Sequence, residues 1–133
     1  MKLSEEAVRN WVNIISSDVG NLSEEDKEYV TRYGKYLDVE ELPAQSGIIA
    51  YSIIKDFDCK KKMSVVILYC KPECRGKYLT YMFRRIEEIA KQEGAVKVVI
   101  GDSVSGYKEN KFNRMLEYYG YRTCGHYKEI TNG

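Results

Sequence analysis

Apolar residues recur along the chain first at a helical period, then at a strand period, and then at the two in alternation. Ala7, Val8, Trp11, Val12, Ile14 and Ile15 keep helical spacing, and Ser4-Glu5-Glu6 ahead of them supplies a capping residue followed by first-turn acids. "LSEED" repeats that start signal at Ser23. Tyr29, Val30, Tyr33, Tyr36 and Leu37 then form an aromatic stripe, of a kind that more often fills a core than lines a ligand site. "LDVEELPAQSG" reads as an irregular connection. "GIIAYSIIKDF" and "MSVVILYC" are rich in β-branched and aromatic residues, and their nearly continuous apolar runs suit strands covered on both faces. The polar "DCKKK" between them suits a hairpin turn. Lys71-Pro72 stops the second strand, because proline cannot donate to a ladder. Leu79, Met82, Phe83, Ile86, Ile89 and Ala90 mark one face of a helix that Gly94 ends. "AVKVVIGD" is a further strand. Phe112, Met115, Leu116 and Tyr119 fit a last helix closed by Gly120, and "YRTCGHYKEI" alternates as a final strand.

This order predicts an α/β fold: a three-layer sandwich with a mixed sheet, helices on both faces and two helices at the N-terminus. The helix between "SVVILYC" and "KVVIGD" makes those strands adjacent and parallel, diverging at their C-terminal ends. At 133 residues the chain is expected to be a single domain. Residues 1–46 would be a helical segment and 47–130 a strand-rich core.

Charge and cysteine usage narrow the partners. Twenty-one basic against twenty acidic residues leave no basic excess, and the one run, Lys60-Lys61-Lys62, is too short to make a nucleic-acid footprint. "MKLSEEAVRNWVN" has no signal-peptide core, and no apolar run approaches the roughly 18 residues of a bilayer span. A cytoplasmic protein is therefore expected, with Cys59, Cys70, Cys74 and Cys124 as reduced thiols. Cys70-x-x-x-Cys74 with Cys124-Gly-His126 departs from the paired spacing of structural zinc sites, so no metal is expected and the cysteines read as packing residues.

The stretch that carries chemistry is "KPECRGKYLTYMFRRIEEIAKQEGA", where a strand runs through a basic loop directly into a helix. The first N–H groups of a helix are unpaired and carry the positive end of its dipole, so an anion is the natural occupant. A nucleoside-triphosphate loop would need glycine at Lys71 and Ser or Thr at Tyr78. A dinucleotide fingerprint would need three spaced glycines, and only Gly76 is present.

Pro72, Glu73, Arg75, Gly76 and Leu79 stand where the GNAT superfamily of N-acetyltransferases has its Pro-Glu-x-Arg-Gly-x-Gly-x-Gly/Ala pattern. "NKFNRMLEYYGYRTCGHYKEI" also resembles the closing helix and strand of that family, with Gly120, Tyr121, Tyr127 and Lys128 in place. The resemblance covers residues 47–130 and implies a GNAT-like acyl-CoA-binding core, with residues 1–46 forming a wall of the acceptor site. It implies transfer of an acetyl group from acetyl-CoA to an unidentified amine, by a monomer or homodimer. Pyrophosphate would be held by the loop Arg75, Gly76, Lys77, Tyr78, Leu79 and Thr80. Further coenzyme contacts would come from Leu68, Cys70, Asn110 and Asn113. The candidate catalytic residues are Glu73 and Asp102 as bases and Tyr119 as an acid, with Ser103 to relay a proton or bind substrate.

The chain departs from the family pattern at three places. Tyr78 and Thr80 replace two loop glycines, Leu116 stands where many members place a tyrosine acid, and the chain opens on a helix rather than a strand. With these departures the chain resembles a compact, partly degenerate, phage-type member of the family, of a kind that can keep the fold without the reaction. A non-catalytic binding or assembly protein is therefore the alternative.

Overall fold

A computed structural model describes residues 1–20, 22–104, 109–122, 128 and 130, with 102–104 and 109 described by their backbone. Helix α1 (Glu5–Val19) starts as its sequence predicts: Ser4 Oγ accepts from the Ala7 N–H at 3.2 Å, and Glu5 and Glu6 lie in the first turn. Its stripe Val8, Trp11, Val12 and Ile15 is buried. Helix α2 (Glu24–Gly34) is capped in the same way, Ser23 Oγ accepting from Asp26 N–H at 3.0 Å. The rest of α2 differs from expectation. Thr31 is its one buried residue, and Tyr29 and Tyr33 are 64% and 52% exposed. The aromatic stripe is thus not core; α2 rests lightly on α1.

The sheet has the order β1-β2-β3-β4, built from β1 (Asp38–Glu41), β2 (Gly47–Lys55), β3 (Lys61–Cys70) and β4 (Lys97–Val104). β1–β2 and β2–β3 are antiparallel, and β3–β4 are parallel neighbours, as the crossover helix requires. β1 corrects the reading of "LDVEELPAQSG" as irregular. It is four residues long, three of them acidic, and Val39 alone is buried, so its sequence carries no strand period. Edge strands of this kind are short and charged because unpaired edges invite foreign pairing. Beside it, Lys2 bridges Asp38 and the Val39 N–H donates to the Met1 carbonyl at 2.8 Å. The edge missing from the sequence pattern is therefore partly made by Met1 and Lys2.

Each face of the sheet has its own core. Ile48 and Ala50 of β2 and Tyr69 of β3 pack with Trp11, Ile15 and Val39 beneath α1. Ile49, Tyr51, Met63, Val65, Leu68 and Cys70 pack on the other face against α3 (Leu79–Gln92), which buries Met82, Phe83, Ile86, Ile89 and Ala90, and against Phe112 of α4 (Glu109–Tyr118). On β3 the inward residues are odd-numbered as far as Val65 and even-numbered from Leu68. The change comes from a bulge: Val65 pairs with Tyr51 and Ile67 with Ala50, leaving Val66 without an opposite number. The closing strand expected over residues 121–130 falls largely outside the described residues, as do Cys124 and His126.

Two predictions follow from this packing. A Cβ at Gly47 would lie 2.1 Å from the Tyr69 carbonyl oxygen and 2.8 Å from Cys70 Cα, both backbone atoms of the central strand pair. Gly47→Ala should therefore cost at least about 3 kcal/mol, read as a lowered urea midpoint, since a backbone clash cannot be relieved by a rotamer change. Burial pushes Tyr121 up to about 12 from its ordinary 10.0, and it also raises Tyr51 and Tyr69, the latter helped by the Asp18 carboxylate. The folded state thus prefers these phenols protonated. Their contribution is complete below pH 10 and should be lost as the pH rises towards about 12. Absorbance at 295 nm should show exposed tyrosines ionising first, and the last tyrosinate signal should coincide with loss of circular dichroism.

Candidate functional site

The parallel ladder between β3 and β4 is interrupted where β3 bulges. Lys62 to Val65 pair in step with Lys97 to Ile100, and pairing resumes at Ile67 with Val104, so three residues of β4 face one of β3. The two strands therefore part beside Val66, which is 41% exposed, although they do not stay apart to their ends. An opening inside a sheet exposes backbone groups that a ligand can use.

β3 leaves this opening for a 3-10 turn, Pro72–Cys74, and the loop that leads into α3. Gly76 has φ +86, a conformation that side chains rarely adopt and glycine adopts freely. Arg75 N–H donates to the Pro72 carbonyl and Lys77 N–H to the Cys74 carbonyl, so those two amides are spent on the turn itself. The first helical bond runs from Met82 N–H to the Tyr78 carbonyl at 2.8 Å. Tyr78 is the capping residue, yet no side chain caps the helix and its first turn holds no acid. α1 and α2 have both. The head of α3 is thus the helix start in this group whose N–H groups and dipole are served by neither a side-chain cap nor a first-turn acid.

The loop side chains are arranged around this head. Tyr78 turns its ring to Lys77, whose Nζ lies 5.4 Å from the centroid, and to the edge of Tyr81. The Thr80 and Tyr119 hydroxyls are 3.1 Å apart, and the Tyr119 ring stacks on Phe83 with centroids 4.2 Å apart. Arg75 reaches away from the helix head to form an ion pair with Asp18 in the last turn of α1. Tyr69 donates its hydroxyl to the same carboxylate at 2.8 Å, beneath the Arg75 guanidinium. A carboxylate at a helix C-terminus opposes the dipole, and two donors offset that cost.

A cleft of about 460 Å³ opens beside the helix head, lined by Leu79 of α3 and by Lys111, Arg114, Met115 and Tyr118 of α4, with Tyr119. Lys111 and Arg114 went unremarked in the sequence reading. Their spacing of three on an amphipathic helix puts both on one face, which was the available signal.

The other sequence candidates are placed as follows. Glu73 is exposed in the 3-10 turn, and Asn110 and Asn113 are exposed on α4. Leu68 and Cys70 are each 1% exposed in the α3-side core, and burial raises the Cys70 thiol. Asp102 and Ser103 are placed by their backbone in β4, where the ladder is broken. Leu116 packs against the α3-side core. Among the described residues no cluster of three or more His, Cys, Asp or Glu side chains could hold a metal, and no helix is long and apolar enough to cross a membrane.

Neither a family model nor a curated protein matches the sequence. Solved structures do match the fold. A ribosomal-protein-alanine N-acetyltransferase from Brucella melitensis biovar Abortus 2308 superposes with a TM-score of 0.73 at 11% identity, covering 99% of this chain and 98% of its own. An acetyltransferase of Trypanosoma brucei gives 0.64 at 14% identity, covering 99% and 97%. Glucosamine-6-phosphate N-acetyltransferase from Arabidopsis thaliana gives 0.55 at 21% identity, covering 98% and 95%. These matches lend no support to a phage origin. With two N-terminal helices, a mixed sheet of four strands among the described residues and full-length superposition on these enzymes, the chain has the GNAT acetyltransferase fold.

Proposed function

We propose that the protein is an acyl-CoA-dependent N-acetyltransferase acting on an amine, with residues 47–130 as the donor-binding core and the N-terminal helices as the acceptor wall. The observation that carries this reading is the head of α3, uncapped and free of acids, set between a ladder opening and a cleft that bears Lys111 and Arg114. A pyrophosphate suits that combination of helix N–H groups and two cations. The amides in play are those of Tyr78, Leu79 and Thr80, with Lys77 adding charge. Arg75, held by Asp18 and Tyr69, fixes the loop.

When bound, acetyl-CoA supplies a thioester carbon that an amine nitrogen attacks: the C–N bond forms, the C–S bond breaks, and the amine proton ends on the departing sulfur. The chain's own part is to position the two reactants and to manage that proton. Glu73 and Asp102 are the proposed bases, with Asn110 and Asn113 as the outer coenzyme contacts; the side chains of Leu68 and Cys70 are sealed in the core under α3 and would shape the site only through β3. Tyr119 is the proposed acid. A cytoplasmic, reducing setting belongs to the same proposal and agrees with the free thiols of Cys59, Cys70 and Cys74.

A second reading, a GNAT-fold protein that binds without catalysing, is favoured by one contact. The Tyr119 hydroxyl is engaged by Thr80 at the helix head, and Leu116 has no proton to give.

Acetyl-CoA should raise the Tm of the protein, since a ligand that binds only the folded state stabilises it by mass action. Lys111→Ala with Arg114→Ala should weaken its affinity about tenfold, with the loss shrinking at high salt, because charge on phosphate is what is removed. A melting curve unmoved by millimolar acetyl-CoA would sink the donor-binding proposal. Tyr119→Phe keeps the stacked ring and removes the hydroxyl, so turnover should fall about 100-fold if Tyr119 is the acid. Unchanged turnover would clear Tyr119 of that role, and acetyl-CoA binding without transfer to any of a broad amine panel would establish the second reading.

A further inference from the structure

Between α1, α2 and the sheet lies a chamber of about 300 Å³, on the opposite face from the cleft beside α3. Its wall includes Trp11 and Ile15 of α1, Ile48 and Ala50 of β2, and Val66 and Ile67 of β3, and no charged side chain is among the described residues that line it. Its wall is almost wholly apolar, and it opens to solvent. It falls in the range of ligand sites. An apolar cavity of about 150 Å³ stays dry and takes up benzene, so this one suits a group of roughly ten carbons or fewer.

Two features connect the chamber with a reaction and with solvent. Val66, the bulge residue beside the broken β3–β4 ladder, is part of its wall, so the chamber abuts the sheet opening. Tyr29 and Tyr33, more than half exposed and with ring centroids 4.6 Å apart, line it from α2 and form its rim. An occupant therefore enters from solvent past two aromatic rings, from the side away from the cationic cleft. Charge behind the wall selects further. Lys71 Nζ stands 5.6 Å from the Trp11 ring, and the nearby Asp18 carboxylate is already engaged by Arg75 and Tyr69. A polycation would find a like charge and no carboxylate. It would also lose its hydration against an apolar wall.

We infer that the chamber takes the apolar body of the acceptor, so that the substrate is a small amine carrying an aryl or alkyl group rather than a polycationic or sugar-like amine. The acceptor role rests on the acyltransferase reading, whereas occupation of the chamber can be read without any turnover. Trp11 is the chain's single tryptophan and is part of the wall, so its emission reports the occupant directly.

The experiment titrates the protein with 2-phenylethylamine and n-octylamine, using kanamycin and spermidine as polycationic controls. The apolar amines should change Trp11 emission saturably, with the controls at least about tenfold weaker, the difference expected from burying a hydrocarbon group of this size. Ala50→Leu adds three carbons to a wall residue and should abolish the response in a protein that still unfolds cooperatively, at a Tm lowered by the overpacking. Tyr33→Ala, at an exposed position where folding is not at stake, should weaken it. With acetyl-CoA present, 2-phenylethylamine should be acetylated in preference to kanamycin. No saturable response in the wild type, an undiminished response in folded Ala50→Leu, or equal binding of kanamycin would overturn the inference. Preference for octanoyl-CoA with ethanolamine would assign the chamber to the acyl chain and overturn its acceptor role. A Trp11 response without an acetyl-CoA melting shift would leave the chamber standing and remove the donor reading. The reverse pattern would remove the chamber alone.

Discussion

Much of this molecule depends on one extra residue in β3. Because side chains alternate along a strand, inserting Val66 between two residues that pair in register exchanges the faces of everything after it. Without the bulge, Leu68 and Cys70 would point at α1, and Tyr69 would point at α3. With it, Leu68 and Cys70 complete the core under α3, and Tyr69 reaches Asp18 at the end of α1. The same residue lies at the break in the parallel ladder, where three residues of β4 stand opposite it. The insertion therefore sets the exit direction of the strand that carries the basic loop, and it sits where the sheet opening meets the wall of the apolar chamber.

The head of α3 shows the complementary use of omission. α1 and α2 have a serine cap and two or three acids in the first turn, the ordinary way to satisfy the orphan N–H groups. α3 has Tyr78 in the cap position and no acid, and it draws its stability from five buried side chains on its inner face. Burial of that kind is worth about 1.5–3 kcal/mol per large residue, enough for the helix to do without a cap of about 1 kcal/mol. The helix can thus leave its dipole and amides for a ligand at small cost to the fold.

The parts that could be read from the sequence were those where a single period holds over a long run. The strands at Gly47–Lys55 and Lys61–Cys70, the helix at Leu79–Gln92 and the parallel order of β3 and β4 all came from continuous patterns with clear stops. β1 was not readable, because three acids in four residues carry no alternation and the pairing that makes them a strand lies in β2. The Tyr29 and Tyr33 stripe misled for a different reason: helical spacing shows which residues share a face, not whether anything fills the space that face covers. At the site, the strand, the basic loop and the helix start behind it were legible. The engagement of Arg75 by Asp18, 57 residues away, and of Tyr119 by Thr80 are contacts between distant segments, which no local spacing encodes.

Those distant contacts decide how charge is divided at the helix head. A guanidinium held against a carboxylate and over a tyrosine ring is fixed in one geometry, and turning it to a phosphate would leave Asp18 at a helix C-terminus with one donor instead of two. Arg75 is better understood as the tie between the loop and α1. Lys77, Lys111 and Arg114 are exposed and lie on the side of the helix head or its cleft, where a phosphate group could meet them. Because Asp18 belongs to the same helix as Trp11 and Ile15, the tie also fixes the wall of the apolar chamber relative to the loop. The two sides of the sheet are thus held in register by a contact that itself touches neither the cleft nor the chamber.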